Sequence, residues 1–305
     1  MTSWFRFRES RTAGIAKAAM AILLLSCNSP LVKTTDAFVL PRGTSAAKAK
    51  HDCGHVLFSS SSSDEDSTAS TTESLSQLVK NLPTIDELNT APFMKQVGYG
   101  SEMTDALLAL QQSDESDATK LYSETLRAAL TAQLSHSDGI RGFMVSYLTG
   151  VPGDDNTDSS LDAESVAKEE DPGVLLETLS KLLATGNDVE SSEELVSLMC
   201  MNVIMPIAMI TKHQDPALSE ASKLTAARGI RLLGSVLTKG SDCSIRSNLE
   251  AIQTVADAEA LSENNDDKLV DYWTKFFGKW GYEDPQKKDI AATMQELLSR
   301  SSSSS

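Results

Sequence analysis

Apolar residues in this chain recur every three or four positions over seven stretches, and nowhere do they alternate over the length of a strand. Met103, Leu107 and Leu110 form the first row, and Tyr122, Leu126, Leu130 and Leu134 the second. Ile140, Phe143, Met144, Tyr147 and Leu148 follow, then Leu175, Leu179, Leu182 and Leu183. Later come Ala226, Ile230, Leu233 and Leu237, then Ile245, Leu249, Ile252 and Val255, and last Ile290, Met294, Leu297 and Leu298. A helix gathers such positions on one face, and that face must be buried against another element. The expected fold is therefore all-α: one bundle-like domain of about eight or nine helices between about residues 74 and 299.

Local signals agree with this. Asp171-Pro172, Asp215-Pro216 and Asp284-Pro285 each set a carboxylate before a proline, the order expected at a helix start. Gly150, Gly186 and Gly240 follow periodic stretches, where a left-handed closing residue is expected. Residues 150–171 carry eight acidic residues and one lysine, and are expected to be a disordered acidic insertion. The serines at 301–305 are expected to be a disordered tail, 300–305 lying beyond the domain.

Of the 305 residues, 40% are hydrophobic, enough for a sizeable core. Four cysteines do not make a disulfide scaffold, and the composition is neither collagen-like nor that of a polytopic membrane protein. The formal charge of −16 argues against nucleic-acid binding, which needs clustered Lys and Arg. Residues 1–63 hold 8 basic and 3 acidic residues, which leaves 19 basic against 40 acidic and a formal −21 beyond them. Such acidity favours solubility and repels anionic lipid.

The N-terminal residues have the composition of an address. Arg6, Arg8, Arg11 and Lys17 precede a short apolar run from Ala18 to Leu25, the layout of a secretory signal peptide over residues 1–37. Residues 38–63 begin Phe38-Val39-Leu40-Pro41 and carry Arg42, Lys48 and Lys50 among Ser, Thr and Ala, with no acidic residue from Val39 to His51, as in a transit peptide followed by a linker. A signal peptide joined to such a segment through Ala37-Phe38 resembles the bipartite plastid presequence of diatoms and related algae. Here Val39-Leu40-Pro41 departs from the usual small residue and proline. The resemblance covers roughly residues 1–60 and implies delivery to a plastid, in the chloroplast stroma or peripheral to the thylakoid. Within this stretch His51-Asp52-Cys53-Gly54-His55 gathers metal-ligating residue types at a spacing that matches no standard zinc pattern.

Three segments are candidate sites. Leu195–Ile210 is the most apolar stretch of the body of the chain; at 16 residues it falls short of a bilayer span, and Pro206 interrupts it. It is expected to be a central core helix, although Met199, Met201, Met205 and Met209 also suit the lining of a ligand cavity. The second segment holds Tyr272, Trp273, Phe276, Phe277 and Trp280 together with Lys275 and Lys279. This helix is expected either to plug the bundle core or, because six aromatic residues between 272 and 282 are more than one helix face usually buries, to form a patch for a protein partner, a pigment or a membrane surface; the partner-binding patch is the candidate site. The third set is Arg141, Arg228 and Arg231, cations suited to holding a carboxylate or phosphate, or to pairing with surface acids.

No active-site signature is present: there is no HExxH, Walker A or GxGxxG sequence, and beyond residue 63 only His136 and His213 supply imidazoles. Cys200 is expected to be an inert core thiol, and Cys243 pairs with no metal-ligand spacing. No cofactor or metal is implied. The sequence points to a non-catalytic plastid interaction or assembly factor that docks on a protein partner through residues 272–282. Photosynthetic complexes are the client the address suggests, with peripheral thylakoid contact and no transmembrane helix in the mature chain. The alternative is a helical small-molecule binder or enzyme with its pocket near residues 195–210.

Overall fold

The computed structural model describes residues 67–114, 116–150, 162–184, 189–239, 243–257 and 267–302. The presequence reading, the His51–His55 cluster, Gly186, Gly240 and the tail beyond Ser302 lie outside these residues. Among the described residues there are twelve α-helices and no strand. They are α1 (Ser67–Lys80), α2 (Ile85–Thr90), α3 (Phe93–Gln111), α4 (Asp117–Gln133), α5 (Ser137–Thr149), α6 (Ala163–Lys168), α7 (Gly173–Ala184), α8 (Val189–Lys212), α9 (Pro216–Thr238), α10 (Cys243–Ala256), α11 (Lys268–Trp280) and α12 (Asp284–Ser302).

Each of the seven apolar rows lies in its own helix, and α8 and α11 are the apolar and aromatic segments. The helices beyond the expected eight or nine are α1, α2 and α6. Each has one fully buried apolar side chain among its described residues: Leu75, Leu88 and Val166. One buried position makes no stripe, so periodicity cannot announce such an element. Within the stretch expected to be disordered, the described residues 162–171 form the capped helix α6, the exposed Glu169 and Glu170, and the buried Asp171. Asp162 caps α6 by accepting from the Ser165 N–H at 2.7 Å. Helical structure begins at Ser67, earlier than expected, and α12 runs to Ser302.

The three Asp-Pro pairs behave differently. Asp215 caps α9, accepting from the Ala217 N–H at 2.9 Å with Pro216 in the first turn. At α12 the cap lies one residue upstream: the Glu283 carbonyl takes the first helical bond, and the Glu283 N–H donates to Gln286 Oε1 at 2.9 Å. Asp171 turns away from α7 into a buried ionic cluster. Gly150 closes α5 with φ −57°, not in the left-handed region. The positive-φ glycine among the described residues is Gly281, at φ 61°.

Buried apolar side chains from the helices α2 to α12, α6 excepted, form one connected cluster. α8 runs through it, touching α5, α7, α9, α10 and α12. By length and composition alone Ser192–Lys212 would suffice to cross a bilayer, yet most of it is buried within the protein. Pro206 lies inside α8 and offers no N–H to the carbonyl of Asn202. Gly229 of α9 comes close at that point. A Cβ on Gly229 would stand 3.1 Å from Val203 Cγ2 and 3.3 Å from the Asn202 carbonyl oxygen.

Among the described helices, α3 and α5 share the most extensive contact. A Cβ on Gly142 would lie 2.5 Å from the Gln96 backbone, so only glycine permits this approach. A polar group bridges the gap, Ser146 Oγ of α5 donating to the Val97 carbonyl of α3 at 2.6 Å, and Gln133 Nε2 at the end of α4 donates to the Gln96 carbonyl at 2.9 Å.

Candidate functional site

α11 is strongly amphipathic and ends in a left-handed glycine. The Gly281 N–H donates back to the Phe277 carbonyl at 2.9 Å, and the chain then folds Tyr282 edge-on against Phe277, with centroids 5.2 Å apart. A hydrophobic contact of this kind commonly accompanies such a cap. Phe276 stands at the middle of the aromatic cluster, 5.4 Å from Trp273, 6.1 Å from Trp280 and 6.2 Å from Tyr282.

The five aromatic side chains expected to meet a partner divide into two groups. Trp273 is fully buried and Phe277 is 4% exposed. These two are core, which corrects the expectation that they dock a partner. The cause is visible around Trp273: its indole Nε1 donates to Asn248 Oδ1 of α10 at 3.0 Å, so the polar end of the ring is satisfied inside. Tyr272, Phe276 and Trp280, at i, i+4 and i+8, are half-buried and form a row at the edge of the core. Lys268, Lys275 and Lys279 are exposed and flank that row along the helix. Lys275 pairs with Asp271 at 2.6 Å, both side chains largely in solvent. Burial raises the Tyr272 pKa; a hydrogen bond with Ser197 opposes the rise, and Arg141, half-buried on α5, adds a smaller opposing effect.

Arg141 is thus separated from the other two arginines with which it was grouped. Arg228 and Arg231 sit on α9, against the end of α5 and the return of the acidic segment. Arg228 is 5% exposed and donates through Nη1 to the Leu148 carbonyl at 3.0 Å, satisfying an end of α5. Arg231 reaches Asp171 Oδ1 from Nε at 3.0 Å and from Nη2 at 2.9 Å. Its Nη1 donates to Glu169 Oε2 and to the Val166 carbonyl, both at 2.7 Å. Tyr147 OH donates to Asp171 Oδ1 at 2.7 Å, and Ser235 Oγ to Asp171 Oδ2 at 3.1 Å.

The electrostatics follow from this crowding. Burial works against the Arg231 charge, but Asp171 and Glu169 more than offset it and hold the guanidinium above its ordinary value. Burial holds Arg228 below its ordinary value, with Arg231 adding to the effect. Burial and then Asp171 push the Tyr147 hydroxyl well above the ordinary phenol range, so it remains a donor. The anion suited to Arg231 is already supplied by the chain. Sequence reasoning missed Asp171 and Tyr147 here because Asp171-Pro172 also has the form of a helix start, and Tyr147 that of an ordinary core position.

The remaining candidates are structural. Met199 and Met205 are buried, Met201 and Met209 half-buried, and α8 packs them into the core. Asn202, half-buried, donates to the Leu198 carbonyl of its own helix at 2.7 Å. His136 caps α5: its Nδ1 accepts from the Gly139 N–H at 3.3 Å, and its Nε2 lies 2.8 Å from the Leu88 carbonyl, the partners that suit an Nε2–H donor. Cys200 is fully buried, and burial pushes its thiol up to about 12. An open groove of about 590 Å³ runs between α2, α4 and α7, lined by Ile85, Asn89, Arg127, Thr131 and Lys181. None of the sequence-predicted residues lines it.

The described chain is an all-α protein built around one buried apolar helix, with an aromatic helix and an internal arginine–carboxylate cluster. A family model described as uncharacterised conserved protein UCP020893 matches residues 102–297, and the chain belongs to that family. The matched stretch begins in α3 and ends in α12, so it includes both the aromatic helix and the arginine cluster. No curated protein and no solved structure matches the chain.

Proposed function

We infer that this protein is a non-catalytic interaction or assembly factor that docks on a protein partner through the outer edge of α11. The observation that carries the reading is the half-buried row of Tyr272, Phe276 and Trp280 beside the exposed row of Lys268, Lys275 and Lys279. Aromatic rings give a large contact area at little entropic cost, and such residues are enriched where partners meet. The exposed lysines, of which Lys275 pairs with Asp271, stand at this edge of a chain of formal charge −16 and favour a partner with acidic groups around an apolar centre. The single helical domain assembles around α8 and presents this edge. Delivery to a plastid, proposed from residues 1–60, makes a photosynthetic complex the natural client, with contact at the thylakoid surface peripheral.

The test is affinity capture of tagged full-length chain from gently solubilised plastids, with native size fractionation. The unaltered chain is expected to migrate far above the monomer with a defined set of proteins. Phe276→Ser with Trp280→Ser should remove those proteins while helicity and cooperative unfolding persist. Trp273→Ser should abolish cooperative unfolding itself. A bare monomer or dimer from the unaltered chain would overturn the docking function.

A further inference from the structure

Residues 162–171 lie across α9 as a strap held mainly by polar contacts. Its helix α6 buries one side chain, Val166. The rest of the hold is Arg231, with the Val166 carbonyl and Glu169 at 2.7 Å and Asp171 at 2.9 Å, and Gln111 Nε2 donating to the Glu170 carbonyl at 3.2 Å. Under the strap, Tyr147, Ser235 and Arg231 converge on one carboxylate, that of Asp171, whose side chain has no exposure at all. Arg228 stands beside them, buried and influenced by the charge of Arg231. Two hydroxyl donors and the Arg231 guanidinium make a site for an anion, and Arg228, bonded to the Leu148 carbonyl, adds its charge beside them. The chain fills that site from one segment, with the Val166 carbonyl and side chain followed by the carboxylates of Glu169 and Asp171.

We propose that Tyr147, Arg231 and Ser235, with Arg228 beside them, form a carboxylate-receiving site, that segment 162–171 is its resident and exchangeable ligand, and that an acidic peptide of a partner protein enters by replacing it. The strap defines what the incoming peptide must carry: an apolar residue for the Val166 seat, a carboxylate three residues later for the outer side of Arg231, and a second carboxylate two residues beyond for the inner site. Elements that bury few apolar contacts open locally, without global unfolding. The Arg231–Glu169 contact is partly exposed, with 37% of the Glu169 side chain in solvent, so salt weakens it. Glu169, Glu170 and Asp171 are non-helical and separate α6 from Pro172 and α7, and the exchange requires the chain to bend there while α7 stays in the core. This site is independent of the aromatic row on α11, and its test does not involve that row.

The test uses the full chain in two measurements. Hydrogen exchange read by mass spectrometry, at low and high salt, should show the 163–170 amides exchanging at least tenfold faster than those of α9, and faster still in high salt. A capped synthetic peptide of residues 162–171 should bind the Val166→Ser chain at least tenfold more tightly than the unaltered chain. The same peptide with Glu169→Gln and Asp171→Asn should lose that binding. Strap amides as protected as those of α9 at both salt concentrations would overturn the exchange. A Val166→Ser chain that keeps α9 protected yet binds no peptide would overturn the site. Should Val166→Ser unprotect α9 as well, Glu169→Gln in the chain removes only a partly exposed contact, and the same exchange and peptide-binding measurements on it decide the matter in the same way.

Discussion

Cys200 shows how a single buried group sets the response of the chain to pH. Its thiol is fully buried on α8 and is pushed from an ordinary 9.0 up to about 12. In the unfolded chain the thiol ionises above its ordinary value; in the folded chain it stays protonated. The folded state therefore binds more protons, and stability is complete below about pH 9 and falls as pH rises toward 12. The loss is about 1.4 kcal/mol per pH unit inside that window. Tyr282, raised by burial, and Tyr147, raised by burial and Asp171, act in the same direction from their own ordinary range upward. Urea unfolding of the unaltered chain between pH 8.5 and 10 should show the midpoint falling, and Cys200→Ala should flatten that fall. Equal slopes in the two chains would mean that Cys200 is not the group responsible. The inert thiol was legible in the sequence, because a cysteine inside an apolar helix has no partner to ionise it. Asp171 was not: its bond to Arg231 spans 60 positions, and no local pattern carries that distance.

Among the helices, the α3–α5 crossing depends on the absence of side chains. Gly142 is buried with no room for a methyl group, whereas Gly98, on an exposed part of α3, would meet nothing within 4 Å. Alanine exceeds glycine in helix propensity by up to about 1 kcal/mol. The two substitutions should therefore have opposite signs. Gly98→Ala should raise the melting temperature, and Gly142→Ala should lower it by a loss of about 1–3 kcal/mol, as overpacking does. Thermal unfolding of both variants checks this; two changes of the same sign would mean that the helices separate freely. Elements were legible in proportion to how many apolar residues they bury. α4 and α7 advertise a full stripe, while α2 and α6 advertise one residue each.

At the scale of the whole molecule, the address and the body make separable claims. Residues 1–60 fused to a fluorescent reporter should enter the plastid, and Phe38→Ala should leave the reporter in an outer compartment; microscopy of both fusions decides it. Uniform plastid entry of the altered fusion would overturn the proposal of a bipartite presequence. In the body, the aromatic segment was found as a segment but not as a surface. Six aromatic residues in one helix and its cap can be counted in the sequence, but their division between interior and edge depends on α10 standing where Asn248 receives the Trp273 indole.

Local chemistry in the sequence determined the all-α class, the positions of nine of the helices, the cap at Asp215 and the core role of α8. Each of these follows from spacing along a few turns of one helix, where the backbone itself fixes which side chains are neighbours. Tertiary structure decided which aromatic rings face inward, that Arg231 meets Asp171 while Arg141 stands apart, and that α6 exists at all. Those outcomes rest on which helices lie side by side, and a side chain is buried or paired only by neighbours far away in sequence.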